Sequence, residues 1–133
     1  MKFTSAFFLF AFVTIATAIT EEQKKKAQEH MQACSQEIGV SADKVANIRK
    51  GDFSNSDEKT QCFVDCFFKK VGFMNGDGAF QEKVAIEKLS QGDTDRSKVE
   101  QVVNKCKGEK GAGKCETAYK IYKCSYEARA ELL

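Results

Sequence analysis

Apolar side chains recur along residues 21–130 at intervals of three and four, the repeat of a helix rather than the alternation of a strand. Ala27, Met31, Cys34 and Ile38 form one stripe that stops at Gly39. The preceding T-E-E-Q offers Thr20 and Gln23 as a capping box, so a helix over about 21–38 is predicted. Ser41 is placed to cap a short second helix, with Val45 and Ile48 inward, that ends before Gly51. A third helix, about 57–71, gathers Cys62, Phe63, Cys66, Phe67 and Val71 on one broad face that Val64 and Phe68 extend, so much of its girth should be buried.

Phe80, Val84, Ala85 and Leu89 mark a fourth helix over about 80–90. A fifth, capped by Asp93 or Thr94, carries Val99, Val102, Val103 and Cys106 at an unbroken helical spacing. After the glycine-rich GEKGAG, a last helix over about 114–130 follows. Asn75-Gly76 within GFMNGDGAF is a hairpin signal, but its flanks repeat as helices do, so the segment reads as a helix-to-helix turn. It is not a calcium loop. With Gly78 as the sixth residue of such a loop, Phe73 and Val84 would stand where carboxylates are required.

Ahead of these helices, Lys2, the apolar run FTSAFFLFAFVTIA and the small residues Ala16 to Ala18 have the form of a secretory signal peptide, residues 1–18, cleaved after Ala18. The run is shorter than the roughly 20 residues of a bilayer span, and stable membrane insertion is not expected. What remains, residues 19–133, reads as one extracellular helical domain. The formal charge of the chain is +2 and falls to +1 once Lys2 is removed, which argues against nucleic acid as a partner. Lys24 to Lys26 directly follow Glu21 and Glu22 and fit a solvated helix face.

An exported chain with an even number of cysteines reads as a disulfide framework, here three bridges among Cys34, Cys62, Cys66, Cys106, Cys115 and Cys124. No metal is expected, since His30 is the single histidine and no C-x-x-C pair exists. On the last helix, Cys115 and Cys124 are nine residues apart, hence on opposite sides at about 100° per residue. That helix must therefore be stapled to two neighbours and lie near the centre. Excluding bonds within the 115–124 and 62–66 pairs leaves most of the 15 possible connectivities open.

The spacing C-x27-C-x3-C-x39-C-x8-C-x8-C behind a signal peptide resembles that of the six-cysteine insect odorant-binding proteins, the general and pheromone-binding protein family, over the whole exported chain. GFMNGDGAF is also similar to the turn after that family's third helix. The resemblance implies an all-α fold: a compact bundle of six helices around an internal apolar cavity, with interlocked bridges Cys34–Cys66, Cys62–Cys115 and Cys106–Cys124. From the residues alone, a solid core filled by the phenylalanines is the plainer reading.

The function so implied is a secreted carrier of odorants, pheromone-like compounds or fatty acids, with no catalytic residues and no cofactor. Its partners would be a small apolar ligand and a chemosensory receptor, and its state a monomer or weak homodimer. A secreted helical interaction protein, toxin-like, inhibitory or saposin-like, is the alternative, although its cysteines would be spaced differently. An enzyme such as a small phospholipase would need a histidine beside a carboxylate and a glycine-rich calcium loop, and no such loop accompanies His30 in the first helix. Inward stripes nominate Phe63, Phe67, Met74, Phe80, Val84, Leu89, Ala118 and Tyr122 as ligand contacts. Leu132 and Leu133 are added because the family's tail folds back on its cavity. As a lid they would bring the terminal carboxylate to the mouth, where protonation in acid would weaken its hydrogen bonds and release ligand.

Overall fold

The computed structural model describes residues 21–54, 56–91 and 95–132, the last three by their backbone alone. Among the described residues, six helices run in chain order: α1 Glu21–Ile38, α2 Ala42–Arg49, α3 Glu58–Val71, α4 Glu82–Leu89, α5 Arg96–Cys106 and α6 Lys114–Leu132. None of them is long and apolar enough to cross a membrane. Residues 1–18 and Thr20 lie outside the described residues, so the signal peptide and the Thr20 cap have no structural account.

Local chemistry sets most of the helix ends. Ser41 caps α2 by accepting from the Lys44 amide, as expected. Asp57 caps α3, its Oδ1 accepting from the Thr60 amide at 2.8 Å. The α5 cap falls later than predicted, on Asp95, which accepts from the Ser97 amide. Asp93 and Thr94 lie outside the described residues. The Gln23 side-chain amide donates to the Lys88 carbonyl and to Gln91, tying α1 to the end of α4.

The 72–80 turn combines both readings of its sequence. It joins two helices, yet an isolated antiparallel bridge pairs Met74 with Phe80, and Asn75 Oδ1 accepts from the Asp77 and Ala79 amides inside the loop. Gly78 holds φ +81 against the Lys114 side chain, a conformation that suits only glycine. The bridge consumes Phe80, and α4 consequently starts two residues beyond the predicted boundary.

Packing is organised around α6, which lies most extensively against α3 and also against α5, while α1 covers α3 and α4 covers α5. Ala118, Tyr119, Ile121 and Ala128 are all buried, so α6 has apolar contacts on more than one side, as its opposed cysteines required. One core cluster joins α1, α2, α3 and α6 through Cys34, Ile48, Phe63, Phe68 and Ile121. A smaller one, Ala85, Val99 and Val103, joins α4 to α5, and Phe73 and Phe80 pack against both.

Three disulfides fix this arrangement: Cys34–Cys66 between α1 and α3, Cys62–Cys115 between α3 and α6, and Cys106–Cys124 between α5 and α6. There is no free cysteine. The pairing is the one implied by the resemblance.

Candidate ligand site in the aromatic interior

Phe63 and Phe67, four apart on α3, share one face, and Phe63 and Phe68 are buried in the same core cluster as Tyr119 of α6, with Phe67 packed against it. Tyr119, Tyr122 and Tyr126 lie at i, i+3 and i+7 of α6, again one stripe. Between α2 and α3 the chain lays Phe53 across that stripe. Its ring centroid stands 5.9 Å from Tyr119, 5.8 Å from Tyr122 and 5.8 Å from Tyr126, in edge-on contacts. Phe68 extends the cluster to Tyr122 at 6.4 Å and to Phe73 at 5.6 Å. Edge-on packing suits rings whose faces are negative and whose edges are positive.

All three tyrosine hydroxyls donate to backbone carbonyls in the last turn of α2 or the connection after it: Tyr119 to Phe53 at 3.2 Å, Tyr122 to Ile48 at 3.1 Å and Tyr126 to Lys50 at 2.8 Å. Burial pushes the Tyr122 hydroxyl above the ordinary phenol pKa. Burial does the same for Tyr119, helped by the negative charges of Asp52 and Asp57. Both therefore remain hydrogen-bond donors across the physiological pH range. The Arg129 guanidinium covers the outer face of Tyr126, 5.4 Å from its centroid.

The residues nominated from sequence divide into groups. Phe63, Met74 and Ala118 are buried in the main core, where Phe67, Phe80 and Tyr122 pack against them half-buried. Val84 is half-buried, near Gly72. Leu89 is a correction to the inward stripe: at 41% exposure it faces solvent, because α4 is only two turns long and meets α5 through Ala85. The tail expectation is not decided: the α6 backbone stays helical through Leu132, while the Leu132 side chain and Leu133, on which the lid rests, lie outside the described residues. Phe53, Tyr119 and Tyr126 were not nominated. The i, i+3, i+7 spacing of the tyrosines was a usable signal, whereas Phe53, in a loop, had none.

A separate cleft of about 420 Å³ opens between the 77–80 turn, the start of α4, the connection after α5 and the facing side of α6. Phe80 and Ile121 are its apolar lining. Glu82, Lys107, Glu109 and Lys110 give it charge, with Lys107 and Glu82 paired at 3.3 Å. Of the nominated residues only Phe80 lines it, so this polar recess and the aromatic interior are different places. Cys34, Cys66 and Glu37 also converge, but both sulfurs are spent in a disulfide and Glu37 pairs with Lys70, so no thiolate is present to hold a metal.

The chain matches known proteins over nearly its full length. Residues 16–128 fit the PBP/GOBP family. General odorant-binding protein 56a of Drosophila melanogaster is 38% identical over 117 residues, covering 85% of this chain and 83% of that protein. The B1 protein of Tenebrio molitor is 31% identical over 107 residues, 80% of this chain and 81% of that one. Among solved structures, a fatty acid binding protein, OBP56a, from the oral disk of the blowfly Phormia regina superposes with a TM-score of 0.68 at 39% identity, covering 85% of this chain and 96% of that chain. Odorant binding protein 4 of Chrysopa pallens, at 22% identity and TM-score 0.74, shares the fold across 86% of this chain and 97% of its own. With its six cysteines paired among α1, α3, α5 and α6 in the order the resemblance implied, the chain belongs to the PBP/GOBP family.

Proposed function

We propose that the protein is an exported carrier that takes up small hydrophobic molecules in the aromatic interior between α3 and α6. The observation that carries this reading is the family match, joined to a 39% identical structure described as a fatty acid binding protein. The physical case is sufficient. Withdrawing roughly 300 Å² of ligand surface from water at about 25 cal/mol per Å² is worth about 7 kcal/mol before the losses on association. With further packing, binding is on the order of micromolar. Selectivity among apolar ligands is loose, because apolar burial has no direction.

Phe63, Phe67, Met74 and Tyr122 are the contacts this reading favours, with Phe80 at the edge. Cleavage after Ala18, a monomeric or weakly dimeric state, delivery to a chemosensory receptor and the absence of catalysis belong to the same reading. The alternative of a helical toxin, inhibitor or saposin-like binder is set aside by the family membership. Mass spectrometry of ligands extracted from natively purified protein tests the proposal. A homologous series of apolar compounds at near-stoichiometric amounts is expected, and a mature N-terminus at Ile19; protein recovered empty that also fails to bind an apolar dye would overturn it.

A further inference from the structure

Phe53, like Phe73 and Phe80, packs on the core from outside any helix. It sits in the connection between α2, which ends at Arg49, and α3, which starts at Glu58, yet its ring is enclosed by three tyrosines of α6. That connection is shaped to lie flat on α6. Gly51 holds φ +88, and a Cβ placed there would stand 2.3 Å from the Tyr126 ring. None of the three bridges involves residues 48–54, whereas α6 is tied covalently to both α3 and α5. The loop is held instead by the Tyr119 and Tyr126 hydroxyls on its Phe53 and Lys50 carbonyls, with the Tyr122 hydroxyl fastening the last turn of α2, at Ile48, from which the loop leaves. Each contributes little net, because water or another acceptor can satisfy both partners once they separate.

We infer that Phe53 is the molecule's own occupant of its binding slot: an apolar guest carrying an oxygen acceptor displaces the Phe53 ring from between Tyr119, Tyr122 and Tyr126, and the released tyrosine hydroxyls donate to that guest. This inference rests on the carrier function proposed above and locates its site. The slot is already ring-sized and apolar-walled, so a guest's hydrocarbon replaces the Phe53 ring contact for contact. The acceptor requirement follows from the hydroxyls. An apolar guest seated in the slot keeps water from the hydroxyls that the lifted loop has left, and donors without water or another acceptor are costly. A carboxylate, ester or carbonyl oxygen repairs the loss, and a pure hydrocarbon does not.

The test uses the mature full chain and two probes: N-phenyl-1-naphthylamine, which has no oxygen, and palmitate. Phe53→Ala removes an internal competitor and is expected to bind the naphthylamine about tenfold more tightly, since apparent affinity scales with the fraction of molecules whose slot is open. Tyr122→Phe deletes a latch oxygen without opening any space. It is expected to speed naphthylamine association about threefold and to lower the ratio of palmitate to naphthylamine affinity. The chain has three tyrosines, all in this slot, and no tryptophan, so tyrosine emission reports the site alone and should change when either probe binds.

Phe53→Ala binding no more tightly than the parent, or Tyr122→Phe leaving rate and ratio unchanged, overturns the inference. Should Phe53→Ala not fold, the tyrosine variant decides alone. Probe binding that leaves tyrosine emission unaltered keeps the carrier function and removes this site. Failure of parent and variants to bind either probe removes both.

Discussion

The molecule is built at two scales. On one side α1, α3 and α6 are 18, 14 and 19 residues long, share an aromatic core and carry two of the three bridges between them. On the other, α4 and α5 are 8 and 11 residues long and meet through alanine and valine. The smaller pair reaches the larger body through Phe73, Phe80 and the Cys106–Cys124 bond. Large rings on long helices create spaces that a ring-sized guest fits, whereas small aliphatic residues on short helices close without leaving one. The difference separates the aromatic packing on the α3–α6 side from the open polar cleft, which lies beside the 77–80 turn and the connection after α5.

The disulfides offer the strongest way to break this contrast. Cys62–Cys115 closes 53 residues of chain and Cys106–Cys124 closes 18. In the loop-entropy picture their removal costs about 4 and about 3 kcal/mol. Replacing each pair by alanine and unfolding in urea should give the larger loss for the 62–115 pair. Equal losses, or the reverse order, would show that the α4–α5 side depends on its bridge more than its packing suggests.

Phe63 and Val103 sharpen the comparison, since each is 4% exposed and each is central to its own cluster. Burial is matched, so side-chain volume separates them. Phe63→Ala should cost about 3–5 kcal/mol and Val103→Ala about 2 kcal/mol, read from urea midpoints at unchanged slope. A Phe63→Ala cost as small as that of Val103→Ala would mean that the larger core collapses around the gap. Such a core is already able to rearrange around a guest.

The frame was more legible in the sequence than the slot. The ends of α1 and α3, and the double-sided burial of α6, follow from periodicity, glycine stops and the opposed positions of Cys115 and Cys124. The pairing itself needed the family, because geometry eliminates too few connectivities. Leu89 was misplaced since periodicity says which residues share a face and not how far the neighbouring helix extends along it. The α5 cap slipped because Asp93, Thr94 and Asp95 all have capping side chains, and local chemistry did not choose among them. Phe53 was invisible for a different reason. A loop residue has no repeat, and its place among the tyrosines is set by how α2 and α3 are mounted on α6.

The smallest effect concerns the polar contact that fastens this loop at its far end. Lys44 of α2 reaches across to Asp57 Oδ2 at 2.6 Å, while Asp57 Oδ1 caps α3, so one carboxylate joins both helices that flank the Phe53 connection. The lysine and the Thr60 hydrogen bond hold the Asp57 carboxyl well below the usual carboxylate range. A depressed pKa in the folded state means that the stabilisation is fully present above the unfolded value, about 3.9, and is lost as pH falls through the folded one. Asp57→Asn keeps an oxygen for the cap and removes the charge. The parent should therefore melt slightly higher than the variant at pH 7. The gap should narrow as pH falls below about 4, and at pH 7 it should also narrow on adding salt, because the pair is solvent-exposed. A gap that is the same at pH 7 and pH 3 would show that the charge does not help to fasten the α2–α3 connection, leaving the tyrosine hydroxyls to hold it.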